Sequence, residues 1–233
     1  MGISVSLLGN MVVTEDNQPI EFATEGVRAL LAYLLAHPDI PFTRVQLATL
    51  LWPEHPQGKA LRNLRMTLTR LRQAIGNERI SEEVTEKTLI VANRVHIKSL
   101  ATDIVTLDTA EILQWQHQLE AYQNKKNQRR IIRIWEKILA IHRGKFLADL
   151  RWNSPTFEEW RSQQERHWHL WALMGWDLLA AHYSSTRQTE KVIFAAQQLL
   201  ALEPWHEKAH SYLIEAWLSK GNRLNAIHQY EQY

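Results

Sequence analysis

The run from Gln57 to Ile75 contains five cationic residues, Lys59, Arg62, Arg65, Arg70 and Arg72, and no acidic one. At about 100° per residue, Ala60, Leu61, Leu64, Leu68, Leu71 and Ile75 collect on one face of a helix. Lys59, Arg62, Asn63, Met66, Thr69, Arg70 and Gln73 collect on the opposite face, with Arg65 and Arg72 on its flank. Guanidinium and ammonium groups reach guanine O6 and N7 or phosphate oxygens, and carboxamides can read adenine. Phosphate contacts supply affinity and base-edge contacts supply sequence choice. A solvated amphipathic helix has the same composition, so the flanking elements decide between the two readings.

Two other constellations have the spacing for metal chemistry. His206-Glu207-Lys208-Ala209-His210 fits H-E-x-x-H, in which two His at i and i+4 bind zinc and the Glu acts as general base. Glu231 or His228 could then serve as third ligand. The pentapeptide is short, it follows Pro204 directly, and Glu207 in a first turn suits the helix dipole without any metal. His167-Trp168-His169 places two imidazoles two residues apart, so on a helix they point in different directions. Trp168, Trp171 and Trp176 read as packing residues, with a ligand pocket or partner groove as the alternative. Asn124 to Arg133 holds five cations among ten residues, read as a solvated basic patch or an extra phosphate contact.

These groups sit in a definite order of elements. Ile3, Val5 and Leu7 alternate, Gly9-Asn10 and Asp16-Asn17 mark turns around Met11 to Val13, and Ile20 and Phe22 resume the alternation. Val27, Leu30, Leu31, Leu34 and Leu35 then form a helical stripe with Thr24 as N-cap. Thr43 caps a short second helix with Leu47, Leu50 and Leu51 inward, closed by Trp52-Pro53. The basic helix starts near Pro56-Gln57 and ends at Gly76-Asn77. A charged link, Glu78 to Lys87, leads to a hairpin, Thr88–Val91 and Val95–Ile97, with Asn93-Arg94 at its tip. Strands, three helices and a hairpin are the order of a winged helix-turn-helix with an extra N-terminal sheet. The tip Arg94 is the candidate for a minor-groove contact, and Arg44 could meet a phosphate at the start of the second helix.

From Leu107 onward no strand pattern appears. Helices are expected at about 108–123, 128–143, 156–184, 188–202, 206–219 and 223 to the end. Nine of the ten Trp residues lie in this part, as fillers of helix–helix seams. Leu179 aligns with Leu213, Tyr183 with Trp217, Val192 with Ala226 and Ala196 with Tyr230, a 34-residue period of the tetratricopeptide type. The last copy stops at Tyr233 without its closing residues and leaves an apolar seam, which predicts a natural chain that continues.

The bulk numbers agree with such a protein but do not identify it. Hydrophobic residues make up 45% and charged residues 22%, as in globular chains. The net charge of +2 says little by itself, so the position of the charge carries the argument. Cysteine is absent, which excludes disulfides and thiolate zinc sites; with no signal-peptide pattern and no long apolar run, a cytoplasmic location without membrane contact is expected.

Leu50-Leu51-Trp52-Pro53-Glu54, then Ala60, Leu61, Asn63-Leu64-Arg65, Leu68, Arg70-Leu71-Arg72 and Ile75-Gly76, resemble the OmpR-type winged helix of the antibiotic regulatory proteins, the SARP family. Gly144-Lys145-Phe146-Leu147, Ser154-Pro155, Phe157-Glu158-Glu159-Trp160, Leu202-Glu203-Pro204 through Glu207 and Ala209 to His210, and the ending Gly221, Ala226 and Tyr230-Glu231, are similar to the bacterial transcriptional activator domain. The resemblance covers nearly the whole chain. It implies activators that bind promoter direct repeats, often as side-by-side protomers, and help recruit RNA polymerase through an all-helical domain. Larger relatives carry an ATPase module, but this sequence has no Gly-rich phosphate loop, and no cofactor is expected. Many relatives have Gly-Tyr at the wing, where this chain has Asn93-Arg94-Val95.

The sequence therefore predicts a mostly α fold with small β elements. A winged helix-turn-helix domain at 1–100 is followed at 101–233 by an all-α, tetratricopeptide-like repeat domain. The expected partner is double-stranded DNA, held by Arg44, Lys59, Arg62, Asn63, Arg65, Met66, Thr69, Arg70 and Arg94, with no catalysis and no metal. RNA polymerase contact and self-association on DNA are further expectations. The alternatives are a scaffold whose winged helix does not read DNA, and the zinc peptidase suggested by residues 206–210.

Overall fold

The computed structural model describes residues 2–124 and 127–232, and omits the side chains of Gln123 and Asn124. The chain divides into two compact units. One comprises Met1–Leu113 with Gly144–Glu165, and the other Gln114–Arg143 with Arg166–Tyr233.

In the first unit, β1 (Ile3–Ser6), β2 (Val12–Glu15) and β3 (Gln18–Pro19) form an antiparallel meander. The β2–β3 turn places Asp16 and Asn17 at φ 48° and 66°, the paired positive values of a type I′ hairpin, which these residue types tolerate. The alternation at Ile20 and Phe22 does not extend the strand: β3 stops at Pro19, and only the Ile20 amide still donates to Val13, at 2.8 Å. A strand the sequence did not signal, β8 (Val105–Leu107), pairs parallel with β1 and completes the order β3-β2-β1-β8.

Three helices follow the meander. Helix α1 (Glu25–Leu35) buries Val27, Leu30, Leu31, Leu34 and Leu35 as its stripe predicts, but Thr24 makes no side-chain cap. Helix α2 (Arg44–Leu51) has the cap its sequence announces. Thr43 accepts from the Gln46 amide while the Gln46 side chain accepts from the Thr43 amide, a reciprocal capping box. Helix α3 (Gln57–Ile75) ends at Gly76, whose φ of 97° suits glycine.

A short 3₁₀ turn (Asn77–Arg79) leads to a second small sheet, of order β4-β7-β6-β5. Its strands are β4 (Phe42–Thr43), β5 (Ile80–Ser81), β6 (Ile90–Ala92) and β7 (His96–Ser99). The β6–β7 hairpin lies one to two residues further along the chain than the alternation suggested. β4 and β5 are two-residue edges, too short to leave a period in the sequence.

Residues 144–165 belong to this unit although they lie far along the chain. Leu8 bridges to Phe146, and the Leu147 amide donates to the Leu7 carbonyl at 2.8 Å. Phe146, Leu147, Leu150 and Phe157 are fully buried. At the start of α4 (Asp108–Asn124), the buried Asp108 carboxylate accepts from the amides of Leu7 and Leu8 at 2.8 and 2.9 Å.

The second unit is all helical. It contains the remainder of α4, α5 (Gln128–Ile141), the later part of α6 (Pro155–Ser185), α7 (Thr189–Leu202), α8 (Glu207–Ser219) and α9 (Arg223–Gln232). These boundaries match the sequence expectation to within about two residues. The repeat pairs Leu179 and Leu213, and Val192 and Ala226, are buried in register. Ala196 is also buried, but its repeat partner Tyr230 is 70% exposed, so the repeat does not hold at that position. Three tryptophans of this unit pack as expected: Trp168 is buried, Trp171 meets Trp135 with centroids 5.1 Å apart, and Trp176 meets Phe194 at 5.5 Å, whereas Trp205 is 78% exposed and fills no seam. Of the basic stretch 124–133, Lys125 and Lys126 lie outside the described residues, as does Tyr233.

Candidate nucleic-acid interface

The apolar face of α3 explains why its basic face points outward. Ala60, Leu64, Leu68, Leu71 and Ile75 are buried together with Thr67, which fills a place in the stripe, while Leu61 is only half-buried. Lys59, Arg62, Arg65, Met66, Thr69, Arg70 and Gln73 are exposed. Helices α1 and α2 pack against α3, so the helix is fixed from behind.

The flanking elements bring more positive charge to the same side. Arg44, at the first turn of α2, donates from Nε and Nη2 to the Asn93 carbonyl at 3.0 and 2.7 Å. This two-pronged bond clamps the tip of the β6–β7 wing to α2. Burial, followed by the like charges of Arg72 and Arg65, pushes the Arg44 guanidinium below its ordinary pKa, and only Glu82 opposes. Arg44, Arg65 and Arg72 therefore share one positive field. Arg72 is partly occupied, donating from Nε to the Ile80 carbonyl at 3.4 Å.

At the wing, Asn93 Oδ1 accepts from the amides of Val95 and His96 at 2.9 and 2.8 Å. This side-chain turn closes the hairpin without a left-handed residue at Asn93 or Arg94, which accounts physically for the absence of glycine there. Arg94 is exposed at the tip.

Besides Arg44, two more of the expected residues are already engaged. The Thr69 hydroxyl donates to the Arg65 carbonyl at 3.1 Å, inside its own helix. Asn63 Nδ2 lies 3.2 Å from Nδ1 of His55, in the turn between α2 and α3. Sequence reasoning passed over His55, because a lone imidazole in a turn has no periodic signature. It also passed over Arg79, which holds the end of α3 by donating to the Ile75 carbonyl at 2.8 Å and pairing with Glu15.

The H-E-x-x-H residues do other work. His206 Nδ1 caps α8 by accepting from the Ala209 amide at 3.2 Å. His210 is buried, with Nε2 2.9 Å from the Pro204 carbonyl and Nδ1 2.7 Å from Gln229 Nε2. Both imidazoles that would bind zinc serve the packing of α8. Among the described residues no cluster of three or more His, Asp or Glu could hold a metal ion, and no helix is long and apolar enough to cross a membrane.

Comparison with known proteins agrees with this geometry. Residues 17–89 match the family described as transcriptional regulatory protein, C terminal, and residues 107–233 match the bacterial transcriptional activator domain. The second match covers more than half of the chain, and the protein belongs to the bacterial transcriptional activator domain family. It thus carries the two domain types of a transcriptional regulator, and neither family is one of enzymes. A similar solved structure is described as Mycobacterium tuberculosis EmbR in complex with low affinity phosphopeptide. It aligns with a TM-score of 0.70 at 20% identity, over 99% of this chain and 58% of that one. At that identity the likeness concerns the fold, and the chain spans little more than half of that protein's length. No curated protein sequence matches the chain significantly.

Proposed function

We propose that the chain is a sequence-specific activator of transcription that lays α3 in the major groove of promoter DNA. The observation that supports this best is the exposed, acid-free face of α3 beside the Arg44–Asn93 clamp. Lys59, Arg62, Asn63, Met66 and Arg70 face the base edges. Arg65 and Arg44 serve the phosphates, Arg94 enters the adjacent minor groove, and Thr69 contributes through its methyl group. The division of labour falls near residue 100. Residues 1–100 hold DNA, and the tetratricopeptide-like part, 101–233, contacts a neighbouring protomer on repeated sites or RNA polymerase, in the cytoplasm.

The test is a salt titration of binding to DNA selected from a random library. Affinity should fall steeply as salt rises, because each neutralised phosphate releases counterions. Arg62→Ala and Arg70→Ala should each weaken binding and relax the choice of base at one position. Unchanged affinity in both variants would show that this face of α3 does not hold DNA. The winged helix would then be a scaffold for protein contacts.

A further inference from the structure

We infer that His55 is a positioning residue for base reading, fixing the carboxamide of Asn63 so that it can recognise adenine. The inference rests on the proposed reading of α3 as the helix in the groove.

His55 is held before it acts. Its amide donates to the Trp52 carbonyl at 3.2 Å, closing the turn between α2 and α3, and Pro56 follows as the N-cap of α3. The imidazole is half-buried and reaches over two turns of α3 to Asn63, with Nδ1 3.2 Å from Nδ2. In the tautomer that carries its hydrogen on Nε2, Nδ1 accepts one hydrogen of that amide. The second amide hydrogen and Oδ1 remain, and these are the donor and acceptor that match adenine N7 and N6.

A carboxamide has an acceptor oxygen at one end and donor hydrogens at the other, and without a fixed partner either end can face a base edge. A reader that flips can satisfy either orientation of a base edge and discriminates poorly. Fixing one hydrogen on His55 decides which end is oxygen. It also lowers the ordering cost of binding, since the side chain is already placed when DNA arrives. His55 itself need touch no base.

The experiment selects bound sequences from random DNA with the full chain in four forms: native, Asn63→Ala, His55→Ala and His55→Gln. Affinities are then measured on the selected site and on the site with its reader base pair changed. Asn63→Ala should lose about tenfold in discrimination at one adenine. His55→Ala should lose discrimination at the same position while the slope of affinity against salt stays as in the native chain, because no phosphate contact is removed. His55→Gln, whose side-chain oxygen can accept the same hydrogen, should recover part of it. A double variant, His55→Ala with Asn63→Ala, should lose no more than Asn63→Ala alone. If His55→Ala discriminates as the native chain does while Asn63→Ala does not, the inference is overturned and the reading of α3 stands. If Asn63→Ala retains its preference, the inference fails for want of a reader. Arg62→Ala and Arg70→Ala measured alongside then show whether the reading of α3 fails with it.

Discussion

The indole Nε1 of Trp152 donates to the carbonyl of Leu51 at 2.9 Å, across 101 residues of chain. Leu51 is the last residue of α2, where backbone carbonyls run out of intrahelical partners. The neighbouring Leu50 carbonyl is met by the hydroxyls of Ser154 and Thr156 at 2.6 and 2.7 Å. The C-terminus of the helix that supports α3 is thus capped by a strap lying in the part of the sequence that matches the activator domain.

Removing the hydroxyls should loosen that cap in steps. Thr156→Val leaves Ser154 on the Leu50 carbonyl and should cost less than about 1 kcal/mol. Ser154→Ala with Thr156→Val strips the carbonyl of both partners and should cost about 1–3 kcal/mol more, partly through the cap that Ser154 also gives α6. Urea denaturation reads this directly. An unchanged midpoint in the double variant would mean that water replaces the strap at no loss.

The same strap carries an acid-sensitive tie. Asp149 accepts from the Met11 amide at 2.7 Å and pairs with Arg28 at 2.5 Å. Burial alone would raise the Asp149 carboxyl, but the Met11 amide and the Arg28 guanidinium outweigh it and hold the group below the ordinary carboxylate range. A carboxyl whose folded pKa is depressed adds stability above its unfolded value, about 4, and that stability is lost as pH falls through the folded value. Stability measured from pH 6 downward should therefore fall below about pH 4. Asp149→Asn should be less stable at neutral pH and should flatten that part of the profile. An identical acid limb in the variant would locate the sensitivity elsewhere.

How far the sequence announced all this depends on the period of each signal. The stripe of α3 and the helices after residue 107 follow from spacing alone, since the periodic face is also the buried face, and Thr43 was legible as a cap while the return bond from Gln46 was not. The edges β4, β5 and β8 rest on two or three residues whose pairing partners are distant, so no local pattern marks them. The strap was invisible for the same reason: Trp152 reads as one more helix-seam aromatic until Leu51 is seen beside it. The outward face of α3 was legible, but the engagement of Asn63 by His55 and of Arg44 by Asn93 depends on turn geometry that spacing does not encode.

Gly175 and Gly58 make a matched pair of glycines inside helices. A Cβ at Gly175 would stand 2.6 Å from Cε3 and 2.7 Å from Cζ3 of Trp135, a fully buried ring, and 3.1 Å from Leu139. Gly175→Ala should therefore destabilise by about 1–3 kcal/mol, because α5 and α6 approach too closely to admit a methyl group. A Cβ at Gly58 would meet nothing within 4 Å. Gly58→Ala should be neutral or stabilising by roughly 0.5 kcal/mol through helix propensity. Thermal unfolding of both variants separates the two effects, and a Gly175→Ala chain as stable as the native one would show that the Trp135 ring can yield.

Arg44 offers a way to separate charge from geometry in DNA binding. Arg65→Ala removes an exposed charge, so it should weaken binding about equally on all sequences and reduce the salt slope by about 1. Arg44→Ala should lose more affinity than its slope explains, because the wing tip at Asn93 is released as well as the charge removed. Arg44→Lys keeps the charge but cannot make the two-pronged bond to one carbonyl. It should keep the native salt slope while losing affinity, and the loss should grow with temperature as the wing gains freedom. Native affinity in Arg44→Lys at every temperature would show that the clamp between α2 and the wing takes no part in holding DNA.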